Sequence, residues 1–349
     1  MTDTATKRKN MIDRLFPTGF PKIWCPALTH YTRGDEIYYR RIDKHIDFIT
    51  PYINSFLIQG STGDGWEFTF EEFKSVVDNS FKRLAEGREI NILVGLLNTN
   101  IDRVMSMFEH CLSYFRNNNI AVEDGDGGNH RFKGFVICPP KGKEKSQDEM
   151  IETMEKIVIR GFPVALYQLP QISENLMTPY MVKHFSSTYH NCFLLKDSSG
   201  ADMIANADEG YDNLVLVRGA EGNYSQMLKK SGGKYDGFLL SIANTFPKEL
   251  SMLVENIENG KQDEAEIISN QLTETISKIL DITKNLPFGN PFTNSNKLID
   301  HIKAFGDGWQ KQPSPLLHSG DVLPRFMVEQ TASILRQYDL YPIKGYFTE

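Results

Sequence analysis

From about residue 22 the chain alternates short apolar runs with longer stretches in which apolar side chains recur every three or four positions. Eight runs predict strands: Ile23–Leu28, Ser55–Gln59, Asn91–Gly95, Gly134–Cys138, Val164–Tyr167, Cys192–Leu195, Leu214–Val217 and Gly237–Leu240. Each is short and rich in Val, Ile, Leu or Phe, the composition of a strand buried on both faces. Helical spacing fills the intervals. Ile42, Ile46 and Ile49 mark Ile37–Ile49; Phe73, Val77, Phe81 and Leu84 mark Phe70–Leu84; Val104, Phe108, Cys111 and Phe115 mark Ile101–Phe115. Thr69 and Thr178 stand at helix starts, the latter before Pro179 at a first helical position.

Eight strands alternating with helices at roughly 30-residue intervals predict a (β/α)8 TIM barrel of about 250 residues. A doubly wound open sheet is the structural alternative on strand count alone. After Pro247 the strands stop, and Lys248–Gly260, Asp263–Leu286, Lys297–Phe305 and Phe326–Tyr338 read as helices. The expected organisation is a barrel over 18–260 and a C-terminal helical extension over 261–349 packed on it. An acidic glycine-rich insertion, Asn117–Arg131, precedes the fourth strand; Gly128 breaks its loose likeness to a calcium loop, so it reads as a solvated loop.

Composition narrows the function classes. Hydrophobic residues are 40% and charged residues 24% of 349, ordinary for a globular chain with a core. A net charge of −7 offers no basic footprint for nucleic acid. No apolar run approaches the ~18 residues of a membrane span, and no signal-type segment follows the polar, basic start Met1–Asn10, so a cytoplasmic protein is expected. Cys25, Cys111, Cys138 and Cys192 are too far apart for a zinc site or a disulfide framework, and the eight histidines show no ligand spacing, so no metal is expected.

Three places could carry chemistry. Lys196 follows the sixth strand, at the mouth where barrel active sites lie; partial burial there lowers an amine's pKa and suits it to attack a carbonyl. Its bland reading is a lysine that begins a surface loop. Tyr167, one βα unit earlier, ends the neighbouring strand, and strands ~4.8 Å apart put its phenol within reach of that amine; otherwise it is a core tyrosine. The turn Gly60-Ser61-Thr62-Gly63-Asp64 after the second strand offers hydroxyl and amide donors for a carboxylate, or is only a glycine-rich turn. His30, after the first strand, reads as a polar rim residue.

In order and spacing these segments resemble the dihydrodipicolinate synthase/N-acetylneuraminate lyase family. The resemblance rests on Gly60-Ser61-Thr62-Gly63-Asp64, Tyr167-Gln168-Leu169-Pro170, Lys196-Asp197-Ser198-Ser199-Gly200, Gly237–Asn244 and Asn290-Pro291. It implies a class I aldolase without cofactor, usually a homotetramer or homodimer, acting on pyruvate or a related 2-oxo acid plus an aldehyde. It also implies that Lys196 forms the imine, Tyr167 relays protons, Ser61 and Thr62 hold the carboxylate, and Gly219 and Leu239 line the pyruvate end. Two departures bear on specificity. Ile172 stands where dihydrodipicolinate synthases carry an arginine for the aldehyde's carboxylate, and Pro139-Pro140-Lys141-Gly142 replaces their tyrosines. The alternatives are dihydrodipicolinate synthase proper, a sugar-acid dehydratase of the same family, and a ligand-binding barrel without turnover.

Overall fold

The structure is a computed structural model, and it describes residues 2–34, 36–84, 88–120 and 131–347. The core of the predicted Asn117–Arg131 insertion, 121–130, lies outside the described residues.

All eight predicted strands form, each within a few residues of its expected bounds. They are β1 (Ile23–Pro26), β2 (Ser55–Ile58), β3 (Asn91–Gly95), β4 (Phe132–Ile137), β5 (Val164–Gln168), β6 (Cys192–Asp197), β7 (Val215–Arg218) and β8 (Gly237–Leu239). They pair in parallel and in sequence order, and β8 pairs back to β1 through Ile23 opposite Phe238, which closes the barrel. Closure excludes the open doubly wound sheet.

The helices α2 (Tyr39–Ile49), α3 (Phe70–Leu84), α4 (Ile101–Asn117), α5 (Gln147–Val158), single-turn α6 (Pro170–Ser173), α7 (Pro179–Thr188) and short α8 (Met203–Asn206) follow successive strands. The tail supplies α9 (Pro247–Glu258), α10 (Gln262–Thr283), α11 (Pro291–Phe305) and α12 (Arg325–Gln337). α11 starts six residues before the predicted Lys297, because Pro291 sits in its first turn and the Asn290 side chain accepts from Thr293 N at 2.8 Å. On α2 the isoleucine stripe is only half-buried at Ile42 and Ile46. Arg41 and His45 are buried instead, because that face meets the C-terminal segment rather than the strands. No described helix is long and apolar enough to cross a membrane.

One helix escaped the sequence reading. The polar start folds as α1 (Asp3–Leu15), capped by the Thr2 side chain accepting from Ala5 N. It crosses the face of the barrel where the strands begin. Phe16, just after it, packs edge-on to Trp24 inside the barrel with centroids 5.9 Å apart. Arg8 is fully buried there and donates to the carbonyls of Cys192 at 2.6 Å, Tyr189 at 2.8 Å, Ser186 and Asp212. One guanidinium thus satisfies carbonyls at the C-terminal end of α7, at the start of β6 and on the approach to β7. Arg8→Met should cost at least about 3 kcal/mol, since charge-assisted bonds are lost and buried acceptors are left unpaired. A clearly lower urea midpoint is expected; an unchanged one would mean that water serves those carbonyls equally well.

Candidate active site

Lys196 and Tyr167 face each other because β5 and β6 pair in register, Tyr167 opposite Lys196. The amine Nζ lies 4.0 Å from the centre of the phenol ring. Lys196 is 4% exposed and Tyr167 1%. A charged amine gains from the ring face, by about 0.5–2 kcal/mol. Burial works against the charge and wins: it draws the lysine down to about 7, with Cys138 and Glu221 offsetting part of the fall. Burial pushes the Cys138 thiol and the Glu221 carboxyl up as well, while the hydrogen bonds Glu221 accepts work against that rise. A large fraction of free amine at neutral pH follows.

Burial raises the Tyr167 phenol, and the Ser198 and Ser61 hydroxyls offset part of that rise. The Ser198 hydroxyl is near enough for that effect, yet it has no hydrogen-bond partner of proper geometry among the described residues. Ser61 is oriented from behind, because the Trp66 indole N–H donates to its Oγ at 2.6 Å. That bond occupies a lone pair, so the Ser61 proton is free to point at the phenol or at a ligand.

The turn carrying Ser61 and Thr62 is a 3-10 segment, Ser61–Gly63, closed by Asp64 in the left-handed region at φ 63°. It sits so close to β1 that a Cβ on Gly63 would lie 2.2 Å from the Ala27 carbonyl oxygen, which only glycine avoids. The tail grips it from the other side. Thr293 Oγ1 donates to the carbonyls of Thr62 at 3.2 Å and Ser61 at 3.3 Å, and Asn290 Nδ2 reaches Ser61 O at 3.3 Å. Asp64 accepts from Lys297 at 2.9 Å and from Tyr31 at 2.8 Å. The motif Asn290-Pro291 therefore anchors the tail to this turn.

The remaining predicted residues fall around the same point. Gly219 follows β7, where an added Cβ would lie 2.1 Å from Ser198 Oγ and 2.8 Å from Lys196 Cε. Leu239, on β8, is buried in the inner barrel cluster that also holds Tyr167 and Val217. Thr62 contributes through its backbone held by Thr293, and no side-chain bond joins it to Lys196 or Tyr167. Ile172 is half-buried on α6, beyond the end of β5.

Sequence reasoning passed over Glu221, Ser198, Trp66 and Cys138. Glu221 is half-buried and accepts from Ser241 Oγ at 2.6 Å, Tyr224 at 2.9 Å and Ile242 N at 3.2 Å. Its place two residues after Gly219 was a usable signal, since the loops after barrel strands carry the site.

One trio among the described residues groups ligand-type atoms, His30, His45 and Asp300, within 4.8 Å. Its atoms are engaged elsewhere: Arg41 is 2.6 Å from Asp300 Oδ2, Tyr346 donates to Oδ1, and His45 Nε2 meets Asn244 O at 2.7 Å. A guanidinium in the coordination sphere repels a cation, so the donor set suits a hydrogen-bonded ion cluster rather than a metal centre. His30 belongs to this cluster, 3.2 Å from His45, and is more than the rim residue expected.

Comparison with known proteins agrees with the barrel fold. The profile described as the dihydrodipicolinate synthetase family matches residues 127–290. A 4-hydroxy-tetrahydrodipicolinate synthase of Methanococcus aeolicus is 20% identical over 273 residues, covering 75% of this chain and 84% of the relative. One from Azobacteroides pseudotrichonymphae is 23% identical over 224 residues, 64% of this chain and 69% of the relative. Among solved structures, YagE, a prophage protein of E. coli K12 belonging to the dihydrodipicolinic acid synthase family and crystallised with pyruvate, superposes with a TM-score of 0.73. It shows 18% identity, covering 92% of this chain and 99% of that one. KD(P)GA from T. tenax gives a TM-score of 0.70 at 14% identity, over 92% of this chain and 99% of that one.

Proposed function

We propose that the chain is a lyase of the class I aldolase type in the dihydrodipicolinate synthetase family, as the matching profile and relatives support, that Lys196 forms a Schiff base with pyruvate or a close 2-oxo acid, and that Tyr167 relays the protons. The observation that carries this reading is the pairing of a buried amine, drawn down to about 7, with a phenol ring 4.0 Å away.

The steps follow from the groups present. The free amine adds to the ketone carbon, and the resulting carbinolamine loses its hydroxyl as water when Tyr167 supplies a proton. The iminium nitrogen then draws electrons from the neighbouring carbon, so a carbon–carbon bond there can break to leave an enamine, or form from one. Protonation of the enamine and hydrolysis of the imine return the lysine and release the 2-oxo acid. Ser61, with its proton left free by Trp66, and the amides of Ser61 and Thr62 hold the carboxylate, the Gly63 amide being taken by the Gly60 carbonyl at 3.0 Å. Gly219 leaves open the space beside Lys196 Cε that a side chain would fill.

The second substrate is read from Ile172. An apolar side chain supplies no bidentate clamp for a carboxylate, so the aldehyde partner is not anchored there by a carboxylate of its own. This favours a lyase acting on a 2-oxo acid adduct other than that of lysine biosynthesis. Product analysis discriminates it from the dehydratase alternative: cleavage yields the 2-oxo acid plus an aldehyde, whereas dehydration releases water alone or with carbon dioxide.

The direct test is incubation with pyruvate and borohydride, followed by mass spectrometry of intact protein and peptides. One reduced adduct per chain, on Lys196, is expected; an adduct confined to another lysine, or none with any 2-oxo acid, removes the reading. The pH dependence is a second test. Only the unprotonated amine attacks, so the rate of adduct formation should rise through about pH 7 and level off above it, tracking the lowered lysine. A rise centred near the ordinary lysine value would mean that the amine is solvated.

A further inference from the structure

A second cavity, of about 690 Å³, lies on the far side of the Ser61–Gly63 turn, and none of Lys196, Tyr167, Ser61 or Thr62 lines it. Its walls are the loop between β1 and α2, the inner face of α11, and the segment 312–322 that the tail lays across them. Its size is that of an ordinary metabolite site.

The chemistry of the walls is one-sided. Of the three cations in the wall, Arg41 is paired with Asp300 at 2.6 Å and Lys297 with Asp64 at 2.9 Å, which leaves the positive charge of Arg33 in excess. His30 and His301 also line it, and burial holds both uncharged near neutrality, His301 at about 4. Arg41 is fixed by Asp300 and by the rings of Phe305 and Phe347, each 4.8 Å from its guanidinium carbon. Its Nε–H, although buried, has no acceptor among the described residues. Arg33 is exposed at the rim with no ion-pair partner among the described residues. A site with an uncommitted guanidinium at its rim and fixed cations in its wall suits an anion with several oxygens.

The cavity also touches the turn. Tyr31 and Lys297, both in its wall, are the two groups that hold the Asp64 carboxylate. Lys297 also reaches the Leu316 carbonyl at 3.4 Å, on the overlying segment. An anion that draws Lys297 or Tyr31 toward itself loosens their hold on Asp64, the left-handed residue that closes the Ser61–Gly63 turn.

We propose that this cavity is a second ligand site, for a small polyanion bearing carboxylates or a phosphoryl group, and that its occupancy changes the affinity of the Ser61–Thr62 turn for the 2-oxo acid through Tyr31, Lys297 and Asp64. The coupling rests on the reading that this turn holds the substrate carboxylate; the binding does not.

The test is calorimetric titration of the full chain with citrate and with inorganic phosphate at constant ionic strength, sodium chloride serving as the reference. Wild type is compared with Arg33→Glu, an exposed change, and with Ser314→Trp, which fills the cavity. Saturable binding of citrate, phosphate or both is expected, weakened about tenfold in each variant, which is the effect of 1.4 kcal/mol. Citrate alone binding assigns a carboxylate ligand; phosphate alone assigns a phosphoryl one. In parallel, the pyruvate concentration giving half-maximal borohydride adduct should move about fivefold with the bound anion in wild type, the lower end of ordinary coupling, and Arg33→Glu should need about tenfold more anion for the same shift. No saturable heat from either probe, or equal binding in all three proteins, overturns the site. Binding without any shift in the pyruvate midpoint overturns the coupling. Absence of adduct at every pyruvate concentration would instead sink the Schiff-base reading, and the titrations would still decide the cavity.

Discussion

Lys196→Met is expected to abolish the borohydride-trapped adduct and to lower turnover by about 10⁴-fold or more, the scale of losing the nucleophile from a covalent mechanism. Methionine matches the length and volume of the lysine stem and keeps the buried space filled, so the loss is chemical rather than structural. The same substitution should make the protein more stable, with a pH dependence of definite sign. The folded chain binds the Lys196 proton less well than the unfolded chain, at about 7 rather than 10.5. The penalty for burying this amine is therefore complete below pH 7, fades as pH rises from about 7 to 10.5, and vanishes above that range. At 1.36 kcal/mol per unit it amounts to a few kcal/mol, to order of magnitude. Urea titrations of wild type and Lys196→Met at pH 6 and pH 9 check this: the gain should be larger at pH 6. A variant no more stable than wild type at either pH would show that the amine is hydrated in the folded state.

Tyr167→Phe should lower turnover by about 10²–10⁴-fold, the usual contribution of a positioned proton donor, while imine still forms slowly. The ring stays over Lys196 Nζ, so the amine keeps its packing and its lowered pKa; only the phenol proton and its relation to Ser61 and Ser198 are lost. Removing one buried hydroxyl costs about 1 kcal/mol, too little to unfold the chain. Stopped-flow trapping separates the two roles: the adduct should accumulate slowly to the wild-type endpoint, with product release suppressed. Wild-type turnover in Tyr167→Phe would take the tyrosine out of the relay.

The barrel was legible because its signals are local. A strand buried on both faces must be a short apolar run, and a helix with one buried face must repeat every three to four residues. The eight runs and most of the helices follow from those two periodicities, and strand ends in a barrel share one mouth, which brings Tyr167, Lys196, Gly219 and the Ser61–Thr62 turn together. The polar α1 carries no such signal: its value lies in one arginine that meets carbonyls some 180–200 positions away, and nothing in Asp3–Leu15 announces them.

What tertiary structure alone decided is electrostatic and long-range. Asp64 finds Lys297 across 233 residues, Arg41 finds Asp300 across 259, and Trp66 turns the Ser61 hydroxyl from a position no motif marks. Whether Lys196 is a surface charge or a half-neutral nucleophile depends on how much water the completed barrel excludes from it, and exclusion belongs to the assembled mouth rather than to any segment of the chain. The residue types and their order along the chain set which groups reach the mouth; the closed sheet and the tail laid over it set their charge and their partners, because dielectric surroundings and ion pairing arise only once distant segments share a space.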